Sequence, residues 1–87
     1  MWRVHVPTKI RRDVARRFPV KERQRIADAL RAFERDGIYA AGVVHLLGDE
    51  YRWRGGNYRI LFRATQSLQL IQVQRIERRT TTTYRKR

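Results

Sequence analysis

The chain has 87 residues, no cysteine, and 21 Lys and Arg against 8 Asp and Glu, a formal net charge of +13. That length suits one small domain, 1–87, and the lack of cysteine excludes disulfide staples and thiolate-held zinc. A hydrophobic share of 41% supports a modest core, no apolar run is long enough to span a bilayer, and no signal peptide is visible.

Residues 1 to 6 alternate, with Trp2, Val4 and Val6 facing one way and Arg3 and His5 the other. That period of two predicts a half-buried strand. Pro7 ends it, and Thr8 offers an N-cap. His5 is a lone imidazole on the polar side and reads as solvated. Over residues 8 to 18, Ile10, Val14 and Phe18 recur every fourth position and predict a helix. Pro19 breaks it. Residues 20 to 36 predict a second helix, with Val20, Ile26, Ala27, Leu30 and Phe33 as its apolar stripe and Gly37 as its stop. The two helices form an antiparallel pair on one side of a sheet. Residues 38 to 50 show no firm period and read as loop or short strand. His45 there is a connector histidine.

Tyr51 to Arg63 is the most informative stretch. Tyr51–Arg54 and Tyr58–Arg63 predict the arms of a β-hairpin, and Gly55-Gly56-Asn57 supplies the turn. Alternation sets Tyr51 and Trp53 against Arg52 and Arg54. It also sets Tyr58, Ile60 and Phe62 against Arg59, Leu61 and Arg63. One side suits a core and the other an anion. Residues 68 to 76 predict a further strand of imperfect alternation, with Ile71, Val73 and Arg75 sharing a face. A basic tail follows: Arg78, Arg79, a run of threonines, Tyr84, Arg85, Lys86 and Arg87. It reads as a frayed end or as an arm over nucleic acid. The fold class is therefore α+β: an N-terminal strand, a two-helix hairpin and a three-stranded antiparallel meander, with the helices on one face.

Charge is uneven along the chain. Residues 1 to 50 hold 11 basic and 7 acidic side chains, whereas residues 51 to 87 hold 10 basic ones and a single acid, Glu77. Arginine dominates, and its planar fork suits bidentate phosphate contacts. A polyanion, RNA or DNA, is the expected partner.

The ordered set Leu46-Leu47-Gly48, then Tyr51-Arg52-Trp53-Arg54-Gly55-Gly56-Asn57-Tyr58-Arg59-Ile60-Leu61-Phe62, then a hydrophobic strand and a basic segment with Tyr84, resembles the RelE/ParE superfamily of toxins from prokaryotic toxin–antitoxin pairs. The resemblance covers nearly the whole chain. It implies a RelE-like fold; the cytoplasm is the location expected from the lack of a long apolar run and of a visible signal peptide. Its RelE side implies an mRNA interferase that cuts mRNA in the ribosomal A site. Arg59 matches the arginine of the family's Tyr-Arg-Ile-Leu motif, Arg52 and Arg54 line the same face by period two, and with Arg78 at the last strand's exit and Tyr84 they are the expected catalytic residues. Arg63, Arg75, Arg79, Arg85, Lys86 and Arg87 are then RNA-binding. Expected partners are a cognate antitoxin, the ribosome with its 16S rRNA, mRNA, and operator DNA through the antitoxin complex. No cofactor, metal or membrane is expected. The chain departs from relatives that carry hairpin lysines or a C-terminal histidine, and arginine is a poor general base. Glu50, Asp49, His45, Tyr84 or water are left as proton carriers. The competing readings are a ParE-like inhibitor of DNA gyrase and a non-catalytic or decayed nucleic-acid-binding domain.

Overall fold

The computed structural model describes residues 1 to 78. Strand β1 (Arg3–His5) leads into helices α1 (Thr8–Arg17) and α2 (Val20–Asp36) and a short 3-10 turn, Gly37–Tyr39. Strands β2 (Val43–Leu47), β3 (Glu50–Gly55), β4 (Tyr58–Thr65) and β5 (Leu70–Arg78) follow. The sheet order is β1-β5-β4-β3-β2. All neighbours are antiparallel except β1 and β5, which are parallel. The expected α+β class and the helix pair are present. The meander, expected with three strands, has four, because Val43–Leu47 pairs with β3.

Helix boundaries follow the two prolines. Pro7 is the N-cap of α1 and Pro19 that of α2, and neither helix has a side-chain cap. Thr8, expected as a cap, is instead the first helical residue. The apolar stripe of α2 is narrower than periodicity implied. Ile26, Ala29 and Phe33 are buried, whereas Val20 is exposed at the open first turn.

The core lies between the helices and one sheet face. Phe33 and Ile71 are inaccessible, as is Ile60, and Phe62 is nearly so. The Phe33 ring packs at 4.9 Å on Phe62 and at 6.4 Å on Trp53. Burying each such side chain contributes about 1.5–3 kcal/mol. Trp2 closes one end of this layer over Gly37. Gly37 has φ +61°, and a Cβ there would fall 2.1 Å from the Trp2 ring. Only glycine meets both demands.

The hairpin turn uses two residues, Gly56 and Asn57, with positive φ at Gly56 alone. That is the pattern of a type II′ turn, which matches the twist of the flanking strands. It fixes the register Tyr51↔Phe62, Trp53↔Ile60 and Arg54↔Arg59.

Strand β5 carries a bulge. Leu61 pairs with Arg75 and Phe62 with Val73, so Gln74 is the extra residue. The bulge explains the imperfect alternation and overturns one expected grouping. Ile71 and Val73 face the core before it and Ile76 after it, whereas Arg75 turns to the opposite face.

Replacing Gly37 by alanine is expected to lower stability by about 2–4 kcal/mol, combining backbone strain with overpacking against Trp2. Urea unfolding of both proteins measures this. A loss under about 0.5 kcal/mol, the range of ordinary surface changes, would show that the Trp2–Gly37 packing is not tight.

Candidate nucleic-acid interface

The sheet face opposite the helices carries Arg52 and Arg54 from β3, Arg59, Leu61 and Arg63 from β4, and Arg75 and Glu77 from β5. These positions follow from alternation, from the hairpin register and from the bulge at Gln74. Glu50 joins them at the start of β3, opposite Arg63. A shallow hollow of about 230 Å³ opens beside Leu61 and is lined by Leu46, Glu50, Arg63, Gln74 and Arg75 among others.

The arginines differ in their partners. Arg59 donates from Nε to Glu77 Oε1 at 2.8 Å, and Arg75 Nη2 lies 2.7 Å from Glu77 Oε2. Arg63 reaches Glu50 at 3.5 Å and Asp49 at 3.9 Å. Arg52 and Arg54 have no carboxylate partner among the described residues. Arg52 is half buried between Val44 and Leu61 on the flanking strands, and its Nε is enclosed without a hydrogen-bond partner. Enclosing a charged donor without a partner is costly. The uncompensated charge therefore lies at the hairpin end of the face, where Arg52 and Arg54 neighbour Arg59.

Five of the arginines expected at the site, Arg52, Arg54, Arg59, Arg63 and Arg75, thus share one face. Arg78 does not. It pairs with Tyr58 on the helix-side face, and its Nη2 donates to Glu22 of α2 at 2.5 Å. Its guanidinium also sits over the Phe18 ring at 5.8 Å. The Tyr58 hydroxyl and the Arg78 guanidinium hold the Glu22 carboxyl below its ordinary 4.5, and burial opposes them only in part. Burial and the neighbouring Glu22 raise the Tyr58 phenol above its ordinary 10.0. Arg79, Tyr84, Arg85, Lys86 and Arg87 lie outside the described residues.

Of the proton carriers, Glu50 stands on the arginine face, two residues and about 7 Å from Arg52 along β3. His45 faces the other way. Its ring packs on Tyr51 at 4.8 Å, and its Nε2 donates to the Gly48 carbonyl at 2.7 Å. Glu77 is the residue that sequence reading missed. It was visible only as the lone acid of the basic C-terminal part, and its partner Arg59 comes from pairing across strands, with Arg75 two residues before it on β5.

Neither a protein-family model nor a curated protein matches this sequence. Solved structures do match in fold. A chain of a RelBE toxin–antitoxin complex from Mycobacterium tuberculosis superposes with a TM-score of 0.74 at 20% identity, covering 90% of this chain and 98% of that one. The archaeal RelE–RelB complex from Pyrococcus horikoshii gives 0.76 at 17% identity, over 92% and 97%. The isolated RelE toxin of E. coli gives 0.72 at 11% identity, over 92% and 86%. The chain has the RelE toxin fold.

The Glu22 latch has a pH consequence. A carboxyl whose folded pKa is depressed contributes stability above its unfolded value of about 4.5. That contribution is lost as pH falls through the lower folded value. Glu22→Gln is therefore expected to be less stable than wild type at pH 7, with the gap narrowing as the pH falls below 4.5. Thermal melts across pH 2 to 8, compared between the two proteins, measure it (a gap that does not vary with pH would contradict the latch).

Proposed function

We propose that this chain is the toxin of a toxin–antitoxin pair and cleaves mRNA on the ribosome. The carrying observation is the uncompensated end of the arginine face, where Arg52 and Arg54 stand without carboxylates beside Arg59. Self-repulsion there destabilises the free protein, and a bound polyanion relieves it. The RelE fold, reached at low identity, supports the same reading.

RNA cleavage by internal transfer begins when the ribose 2′-oxygen loses its proton and attacks the adjacent phosphorus. Charge gathers on the phosphate oxygens, the P–O5′ bond breaks to leave a 2′,3′-cyclic phosphate, and the departing 5′-oxygen takes a proton from water. Arg59, flanked by Arg52 and Arg54, supplies fixed donors to those oxygens as charge develops. Glu50 is the carboxylate of this face not committed to Arg59, and it is the first candidate to accept the 2′-proton. Arg63 and Arg75 bind the flanking backbone. The ribosome orders the mRNA, so that proximity lowers the barrier further. On this reading, Tyr84 and the basic residues Arg79, Arg85, Lys86 and Arg87 assist substrate binding, and Arg78 anchors the segment that leads to them.

The partner follows from the same surface. Of the similar structures, one is a toxin–antitoxin complex and another a RelE–RelB complex. A cognate antitoxin here neutralises the arginine face with acidic side chains. The pair contacts operator DNA mainly through that antitoxin, in the cytoplasm.

Arg59→Ala is expected to lower cleavage of ribosome-bound mRNA by about 10²–10³-fold without altering the melting profile. Primer extension on ribosomes stalled over a defined codon reads the new 5′ ends. Cleavage by wild type in the A-site codon, absent on free mRNA, supports the reading. An Arg59→Ala protein that cuts at the wild-type rate would remove Arg59 from the site, and no cleavage by folded, antitoxin-free wild type would end the nuclease assignment.

A further inference from the structure

Glu77 stands out on the arginine face. It lies directly across from Arg59 in the β4–β5 register, with Arg75 two residues before it on the same strand. Among the described residues no helix covers this face, yet the Glu77 side chain is only 25% exposed, against 50% for Glu50 and 53% for Asp49. The two arginines shelter it, one on each oxygen, at 2.8 and 2.7 Å. Sheltered pairs are screened less by salt than the exposed pairs on the helices.

This arrangement has a consequence for the donor that matters most. A free arginine side chain samples many rotamers, whereas stabilising charge as it develops requires donors fixed in advance. The Glu77 bond takes the Nε edge of Arg59. A guanidinium has five N–H donors, so those on its terminal nitrogens are left for a ligand. The bulge at Gln74 turns β5 so that Arg75 and Glu77 reach this face at all.

We propose that Glu77 is the positioning residue of the arginine face. It holds the Arg59 guanidinium by its Nε edge, so that the terminal nitrogens meet an RNA phosphate seated beside Arg52 and Arg54. This rests on the nuclease reading above and names the residue that prepares its principal donor. The alternative is that Glu77 is a plug, occupying the place of the phosphate and competing with it.

The test uses the full chain as wild type, Glu77→Gln, Arg59→Ala and the double variant. Single-turnover cleavage of ribosome-bound mRNA is measured beside binding to a single-stranded 2′-O-methyl RNA, which cannot be cut. Glu77→Gln is expected to slow cleavage roughly tenfold to a hundredfold, the scale of a misplaced catalytic group. The double variant is expected to be no slower than Arg59→Ala alone, because Glu77 acts through Arg59. Binding by Glu77→Gln stays as tight or tightens, with a steeper salt dependence, because two arginines lose their internal anion. Cleavage as fast as wild type or faster would overturn the proposal in favour of a bystander or a plug. Losses that multiply in the double variant would also overturn it. If the wild type does not cut, the nuclease reading fails by itself. The binding experiment then decides on Glu77, and a salt dependence equal to wild type would refute its hold on the arginines.

Discussion

The register of the β3–β4 hairpin is the constraint on which the rest of this molecule depends. One face of the two strands holds Tyr51, Trp53, Tyr58, Ile60 and Phe62, and the other holds Arg52, Arg54, Arg59 and Arg63. A slip of one residue would exchange the two faces. It would expose Ile60 and Phe62 and push arginines beneath the helices. Each lost aromatic or aliphatic burial costs about 1.5–3 kcal/mol, and an unpaired buried guanidinium costs more. The two-residue turn at Gly56-Asn57 guards against that slip. Core and arginine face are therefore two outcomes of one pairing.

Stability does not account for the charge on the open face. Exposed ion pairs contribute at most about 1 kcal/mol each, so the arginines are not there for stability. Arg63 is balanced by Asp49 and Glu50, and Arg59 and Arg75 share Glu77. Arg52 and Arg54 have no carboxylate partner among the described residues. The field is thus concentrated at the hairpin end, next to an arginine that is already held. On the helix side, Arg78, Glu22 and Tyr58 do a different job, tying the end of β5 to the first turns of α2. Arg75 and Arg78, close in sequence, end on opposite faces.

Much of this was legible in the sequence because it rests on local periodicity. The helix pair is marked by Pro7, Pro19 and Gly37, and the hairpin by its alternation and its glycines. The arginine face follows from the same period of two. What escaped reading depends on contacts distant in sequence. Val43–Leu47 has no alternation of its own and is a strand only because β3 pairs with it. The bulge at Gln74 inserts one residue with no local signature, and that single insertion moves Arg75 to the open face and Arg78 away from it. Glu77 gains its meaning from Arg59, 18 positions earlier, across a strand pair. The fold was thus more readable than the site, since a face is periodic and a set of partners is not.

The central claim is that RNA meets the open sheet face and not the basic helix α1. Titrating isotope-labelled protein with a short single-stranded 2′-O-methyl RNA and following the arginine Nε–H resonances tests it most directly. The account predicts that Arg52, Arg54 and Arg59 shift together and saturate at one ratio, while Arg11, Arg12 and Arg16 of α1 stay in place. Shifts confined to the α1 arginines, with the hairpin signals unmoved, would contradict it.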